Sequence, residues 1–200
     1  MGFLGIVGYP DGGLFGGYLV LNPAGRPVEF HCTTPIQPSR AQEILYGPTL
    51  PGFLYGEQIG WTLLQEARQP VVAVLTDQPA SLAVRDHVDL PVALVISAHP
   101  SATGVSAVPR DPGVTGPSPV PREQHGQDVR GTFRAPDEQP YPEPLIEFAV
   151  DDQRLAVRSD RADDQSHLVA QLTGWRRRVD LREPFDRIRQ AIAEARKTGS

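Results

Sequence analysis

Apolar positions along this chain fall into two patterns, one of period two and one of period near 3.6. Residues 3–8 (FLGIVG) are a short apolar run that reads as a strand, and 14–21 (LFGGYLVL) is apolar on both alternating faces, as in a strand covered on both sides. YPDGG, the cluster that ends the first run, predicts a reversal. NPAG at 22–25 has the residue preferences of a type I turn, and PVEFHCT follows at 27–33, so 14–33 reads as a β-hairpin. PVVAVLTD (70–77) and LPVALVIS (90–97) are further apolar strands. QPASLAVRDH (78–87) between them predicts a short helix, with Asp77 as N-cap and Pro79 in the first turn. Strand, short helix, strand predicts a right-handed parallel crossover. PLIEFAV (144–150) and RLAVRS (154–159), joined at Asp151-Asp152, predict a second hairpin.

The helical pattern starts at Ser39, whose hydroxyl and Gln42 make an S-x-x-Q capping box, with Pro38 just outside. Ile44, Leu45 and Tyr46 form its expected apolar side, and Gly47-Pro48 stops it. A second helix is predicted over about 53–67, with Leu54 or Tyr55, Ile59, Leu63 and Ala67 on one face. Gly56 and Gly60 would leave a groove there for a close neighbour. DDQSHLVAQLTGW predicts a helix capped near Asp163 or Asp164. In the last helix Leu181, Phe185, Ile188, Ile192 and Ala195 step by +4, +3, +4, +3, behind an Asp180/Glu183 start signal. Arg196 and Lys197 suit the negative end of its dipole.

Between these periodic parts, residues 99–142 are dense in Pro, Gly, Ser and charge and have no period. This composition predicts a disordered linker or insertion. The stretch after it, about 55 residues, is marginal for a core of its own. The expected architecture is therefore one mixed α/β domain made of residues 1–98 and 143–197. It would hold an N-terminal hairpin, helices and a βαβ crossover, completed by a C-terminal hairpin and helices.

Charge and composition narrow the function classes. A formal net charge of −5 argues against a general nucleic-acid binder or a protein held on acidic membranes. No apolar run approaches the roughly 18 residues of a membrane span, and the N-terminus lacks the basic region of a secretory signal. The single cysteine gives no internal disulfide, so the expected location is cytoplasmic. No metal is expected, since the five histidines are scattered and no C-x-x-C or H-E-x-x-H occurs. No cofactor is expected either: GYPDGGLFGGY precedes a strand rather than a helix N-terminus, so its glycines read as turn residues.

Four groups of residues remain as candidate chemistry. His31 and Cys32 are adjacent on a strand and point to opposite faces, so they are no nucleophile–base dyad. Val28, Phe30 and Cys32 share one face, expected to be buried. Glu29 and His31 share the other, where the carboxylate could orient or charge the imidazole. Asp77 ends one parallel strand while Ser97 and His99 end the next, at the carboxyl edge where open α/β sheets bind ligands. Trp175 beside Arg176, Arg177 and Arg178 is a candidate contact for an acidic partner or nucleic acid. The expectation that follows is a non-catalytic protein–protein interaction or assembly module. Its rivals are a ligand-binding protein or hydrolase using Asp77 and His99, and a nucleic-acid accessory protein.

Overall fold

The computed structural model describes residues 1–10, 13–96, 144–173 and 180–198. The chain opens with an antiparallel meander of β1 (Gly2–Gly8), β2 (Leu14–Leu21) and β3 (Pro27–Cys32). The predicted turn joins β2 to β3. The Gly25 N–H donates to the Asn22 carbonyl at 2.9 Å, and Asn22 Oδ1 accepts from the N–H groups of Ala24 and Arg26. Gly25 sits at φ +75°, a left-handed conformation that side chains resist. The pairing slips by one residue beside this turn, between Val20 and Leu21.

β4 (Val74–Thr76) lies parallel to β1, and β5 (Val92–Ile96) lies parallel to β4. The second hairpin, β6 (Leu145–Val150) and β7 (Gln153–Arg158), joins the same sheet by antiparallel pairing of β7 with β5. The order is β3-β2-β1-β4-β5-β7-β6, one mixed sheet of seven strands. The predicted linker, 99–142, lies outside the described residues.

Helices cover both faces of the sheet. α1 (Arg40–Tyr46) is followed by a longer helix, α2, over residues 50–66, whose middle, Phe53–Trp61, has π geometry. A 3-10 segment (Pro79–Asp86) connects β4 to β5. α3 (Asp163–Thr173) and α4 (Glu183–Thr198) close the chain. Strand alternation splits the core into two clusters. On one face Phe3, Leu19, Leu75, Val95 and Leu155 pack with Leu168 of α3 and with Phe185, Ile188 and Ile192 of α4. On the other, Leu4, Tyr18, Val74, Leu94 and Ala156 pack with Leu54, Ile59 and Leu63 of α2 and with Leu82 and Val84. The result is a three-layer arrangement with the sheet in the middle.

The predicted glycine groove is real. A Cβ on Gly56 would lie 2.6 Å from Ala83 Cβ and 2.8 Å from the Val84 nitrogen, so the 3-10 segment rests directly on the α2 backbone there. Three local expectations are corrected. Asp77 does not cap the following segment: Gln78 holds the cap position, and its side chain makes no bond to that segment's N–H groups. Asp164 is buried and bonded to Arg85 rather than serving as a simple cap. Ala195 is exposed, because the apolar stripe of α4 loses its sheet contact after Ile192.

Candidate functional site

β3 is one edge of the sheet, and its two faces differ from expectation. Glu29 and His31 share a face as predicted and are bonded, with His31 Nε2 2.7 Å from Glu29 Oε1. Glu29 also accepts from the N–H groups of Arg68 at 2.9 Å and Gln69 at 2.8 Å. The His31 bond first, then these two backbone donors, hold the Glu29 carboxyl down to about 2. Burial first, and then this negative charge, push the neighbouring Tyr18 hydroxyl up. The carboxylate therefore ties the exit of α2 to the edge strand, and its bonding capacity is taken up by that role.

The opposite face is the exposed one. Phe30 is 38% exposed and Cys32 is exposed with it, and Val28, the extra residue where the β2–β3 register slips, is 48% exposed. This overturns the buried thiol expected from the alternation. The pattern identifies side chains that share a face but not whether anything covers it. α4 packs mainly over β1 and β2, with Phe30 of β3 reaching the same space beside Gly17 as Ile188 and Ile192.

The carboxyl edge of the parallel strands is the second place where chemistry gathers. β1 and β4 are adjacent and parallel, yet their chains leave in opposite directions, one toward β2 and the other toward β5. Such a switch point opens a crevice in many α/β sheets. Here several of this chain's own side chains are bonded to one another or to the backbone. The Gln78 amide lies along β1, accepting from the Ile6 N–H at 3.1 Å and donating to the Ile6 carbonyl at 2.6 Å. Asp77 accepts from Arg189 of α4 at 2.6 Å, and Arg196 lies over the Tyr9 ring at 4.2 Å. His99, expected to converge with Asp77, lies outside the described residues, as do Ser97 and Trp175, Arg176, Arg177 and Arg178. Among the described residues no group of three or more His, Cys, Asp or Glu side chains is placed as metal ligands would be. No helix of the described residues is long and apolar enough to cross a membrane.

α1 is the third feature, and reading the sequence misplaced its side chains. The capping box forms: Ser39 Oγ accepts from the Gln42 N–H at 3.2 Å, and Gln42 Oε1 accepts from the Ser39 N–H at 2.9 Å. Yet no residue of α1 is buried. Ile44 is 68% exposed and Leu45 80%, while Tyr46 stacks on Phe53 with ring centroids 4.1 Å apart. The signal was present in the sequence. Three consecutive apolar residues on a helix fan out over more than half its circumference, so a single core cannot take all three. Arg189, by contrast, gave no such signal; it lies 112 residues from its partner Asp77. Comparisons with protein-family models, with curated proteins and with solved structures give no match.

Proposed function

We propose that this protein is a non-catalytic interaction module, a rigid α/β scaffold that presents apolar surface to a partner protein. The observation that supports it is α1: a properly capped helix that buries nothing and holds Ile44 and Leu45 in solvent. Exposed large apolar side chains cost solubility, and a contiguous group of them marks a contact surface more often than a bare one. The candidate acids fit this reading, since Glu29 is bonded to two backbone donors and a ring, and Asp77 to Arg189. A reducing, cytoplasmic setting goes with it, because there the exposed Cys32 thiol would persist.

The test is affinity capture from native lysate with the wild-type chain and an Ile44→Glu/Leu45→Glu variant. The variant should keep its melting midpoint, as α1 contributes nothing to the core. It should lose a protein that the wild type retains in stoichiometric amount. An identical captured set from both chains overturns the reading.

One observation favours a ligand-binding or hydrolytic protein instead, namely Asp77 at the switch point of the sheet. A small-molecule thermal shift abolished by Asp77→Asn would support that rival.

A further inference from the structure

A cleft opens at the end of the sheet where β4 and β5 begin, on the face that α2 covers. Its volume is about 370 Å³, in the range of small-ligand sites. Trp61, Leu64 and Ala67 line it from α2 and its exit, Val71 from the approach to β4, and Val88 and Leu90 from the approach to β5. His87 lies against Trp61, with ring centroids 5.9 Å apart. The rim is held too, since Arg68 and Gln69, which border the opening, donate their N–H groups to Glu29. A cleft whose walls are already packed and bonded costs little to organise around a ligand.

One polar group in this cleft is not used by the fold. Tyr18 is only 1% exposed, yet it lines the cleft as well. A Cβ on Gly2 would collide with its phenol end, so the ring crosses from β2 over the start of β1. Among the described residues its hydroxyl has no hydrogen-bond partner. The Ser81 hydroxyl, also unbonded, is sealed in the core, whereas that of Tyr18 meets the cleft. Such a hydroxyl is satisfied by water, or by a ligand that reproduces the water's bond as it displaces it. Burial first, and then the Glu29 carboxylate, keep its proton in place, so it acts as a donor. An anion set against it would be repelled by Glu29, and a cation would offer its proton no acceptor. Arg68 is exposed at the rim, where solvent and salt screen its charge. We propose that this cleft binds a small, neutral, largely apolar molecule whose carbonyl oxygen accepts a hydrogen bond from Tyr18 while its body rests against Trp61. The inference does not depend on the α1 reading, since the cleft shares no residue with α1.

Acetophenone, a ring with one carbonyl, is the probe, titrated into the full chain and followed by NMR at the Trp61 indole and the Val71 and Val88 amides. Ethylbenzene has nearly the same shape without the acceptor; benzoate and benzylammonium are the anionic and cationic counterparts. Acetophenone should shift those signals at millimolar concentration and bind at least about fivefold more tightly than each of the other three. Tyr18→Phe removes a hydroxyl that bonds to nothing in the protein, so the variant should keep the wild-type melting midpoint. It should weaken acetophenone by about fivefold and leave ethylbenzene unchanged, a split that a purely structural role would not produce. Ala67→Leu narrows the cleft and should weaken both, whereas Ile44→Glu/Leu45→Glu should bind acetophenone as the wild type does. No shift with millimolar acetophenone overturns the proposal. Equal binding of ethylbenzene, or tighter binding of either ion, does the same. A Tyr18→Phe variant that binds acetophenone like the wild type also sinks it, as does one that melts far below the wild type, because the hydroxyl would then be bonded within the fold.

Discussion

At Glu29 three donors meet one carboxylate: the His31 ring and the N–H groups of Arg68 and Gln69. These bonds favour the ionised form, so the carboxyl falls from 4.5 to about 2 in the folded chain. A depressed folded value means that Glu29 contributes stability above its unfolded value, which is lost as pH falls from about 4.5 toward 2. Glu29→Gln keeps an acceptor oxygen and removes the charge. Urea midpoints measured from pH 7 down to about 2.5 should therefore decline less steeply through that window in Glu29→Gln than in the wild type. Parallel curves would show that the carboxylate is not latched in this way. Cys32 makes a second case at the same scale. Its exposure on the β3 face predicts that the native thiol reacts with a disulfide reagent at nearly the rate seen in urea. Strong native protection, at protein concentrations too low for self-association, would contradict the placement of that face in solvent.

Packing between elements is most demanding where α2 meets the 3-10 segment. At Gly56 an added Cβ would press on backbone atoms of Ala83 and Val84, which cannot rotate away. Gly56→Ala should cost about 1–3 kcal/mol, as overpacking does. Gly52 lies on the same helical path at ordinary helical φ and ψ, where a Cβ would rest 3.7 Å from Ala83 Cβ. Gly52→Ala should be neutral or stabilise by up to about 1 kcal/mol, because it only restricts the unfolded chain. Thermal melts of the two variants separate steric cost from glycine flexibility. This contact was legible in the sequence because the Gly56/Gly60 spacing is local, as were both hairpins, the Ser39 capping box and the parallel pairing of β4 with β5. Strand order was not legible, since no local pattern says that β7 inserts between β5 and β6. The covered face of β3 depends on that order and on where α4 ends, so the alternation left the exposure of Phe30 and Cys32 undetermined, and the register slip at Val28 interrupts the alternation there. The Asp77–Arg189 bond belongs to the same class, a contact set by how α4 lies on the sheet.

Across the whole molecule, the residues before and after the 97–143 segment are joined by shared core and by a few polar bonds of long reach. The sheet does part of this through β5 and β7, and α4 does more by setting Phe185 against Phe3 with ring centroids 5.7 Å apart. Phe185→Ala should cost about 3–5 kcal/mol, the range for a fully buried aromatic. The polar join is Arg85, which grips Asp164 with two bonds of 2.7 and 3.1 Å while also donating to the Val88 carbonyl. Asp164 is 4% exposed and Arg85 15%, so water compensates little if one partner is removed. Forming such a pair gains little over a well-packed apolar substitute, because both ions must be desolvated; breaking it strands a buried charge. Asp164→Ala should therefore destabilise by about 3–5 kcal/mol, whereas Arg85→Met/Asp164→Leu should recover most of that loss. Urea denaturation of the full chain, followed by fluorescence and by circular dichroism, measures both variants. A single-variant cost below about 1 kcal/mol would mean that water reaches the site and that the bond across the insertion is incidental. If the double variant is no better than the single, Arg85 and Asp164 act through other neighbours, such as the Val92 N–H that reaches Asp164 at 3.4 Å. With the pair acting as described, a chain ended after β5 lacks both Asp164 and the helices over one face of the sheet, and should show no cooperative unfolding transition.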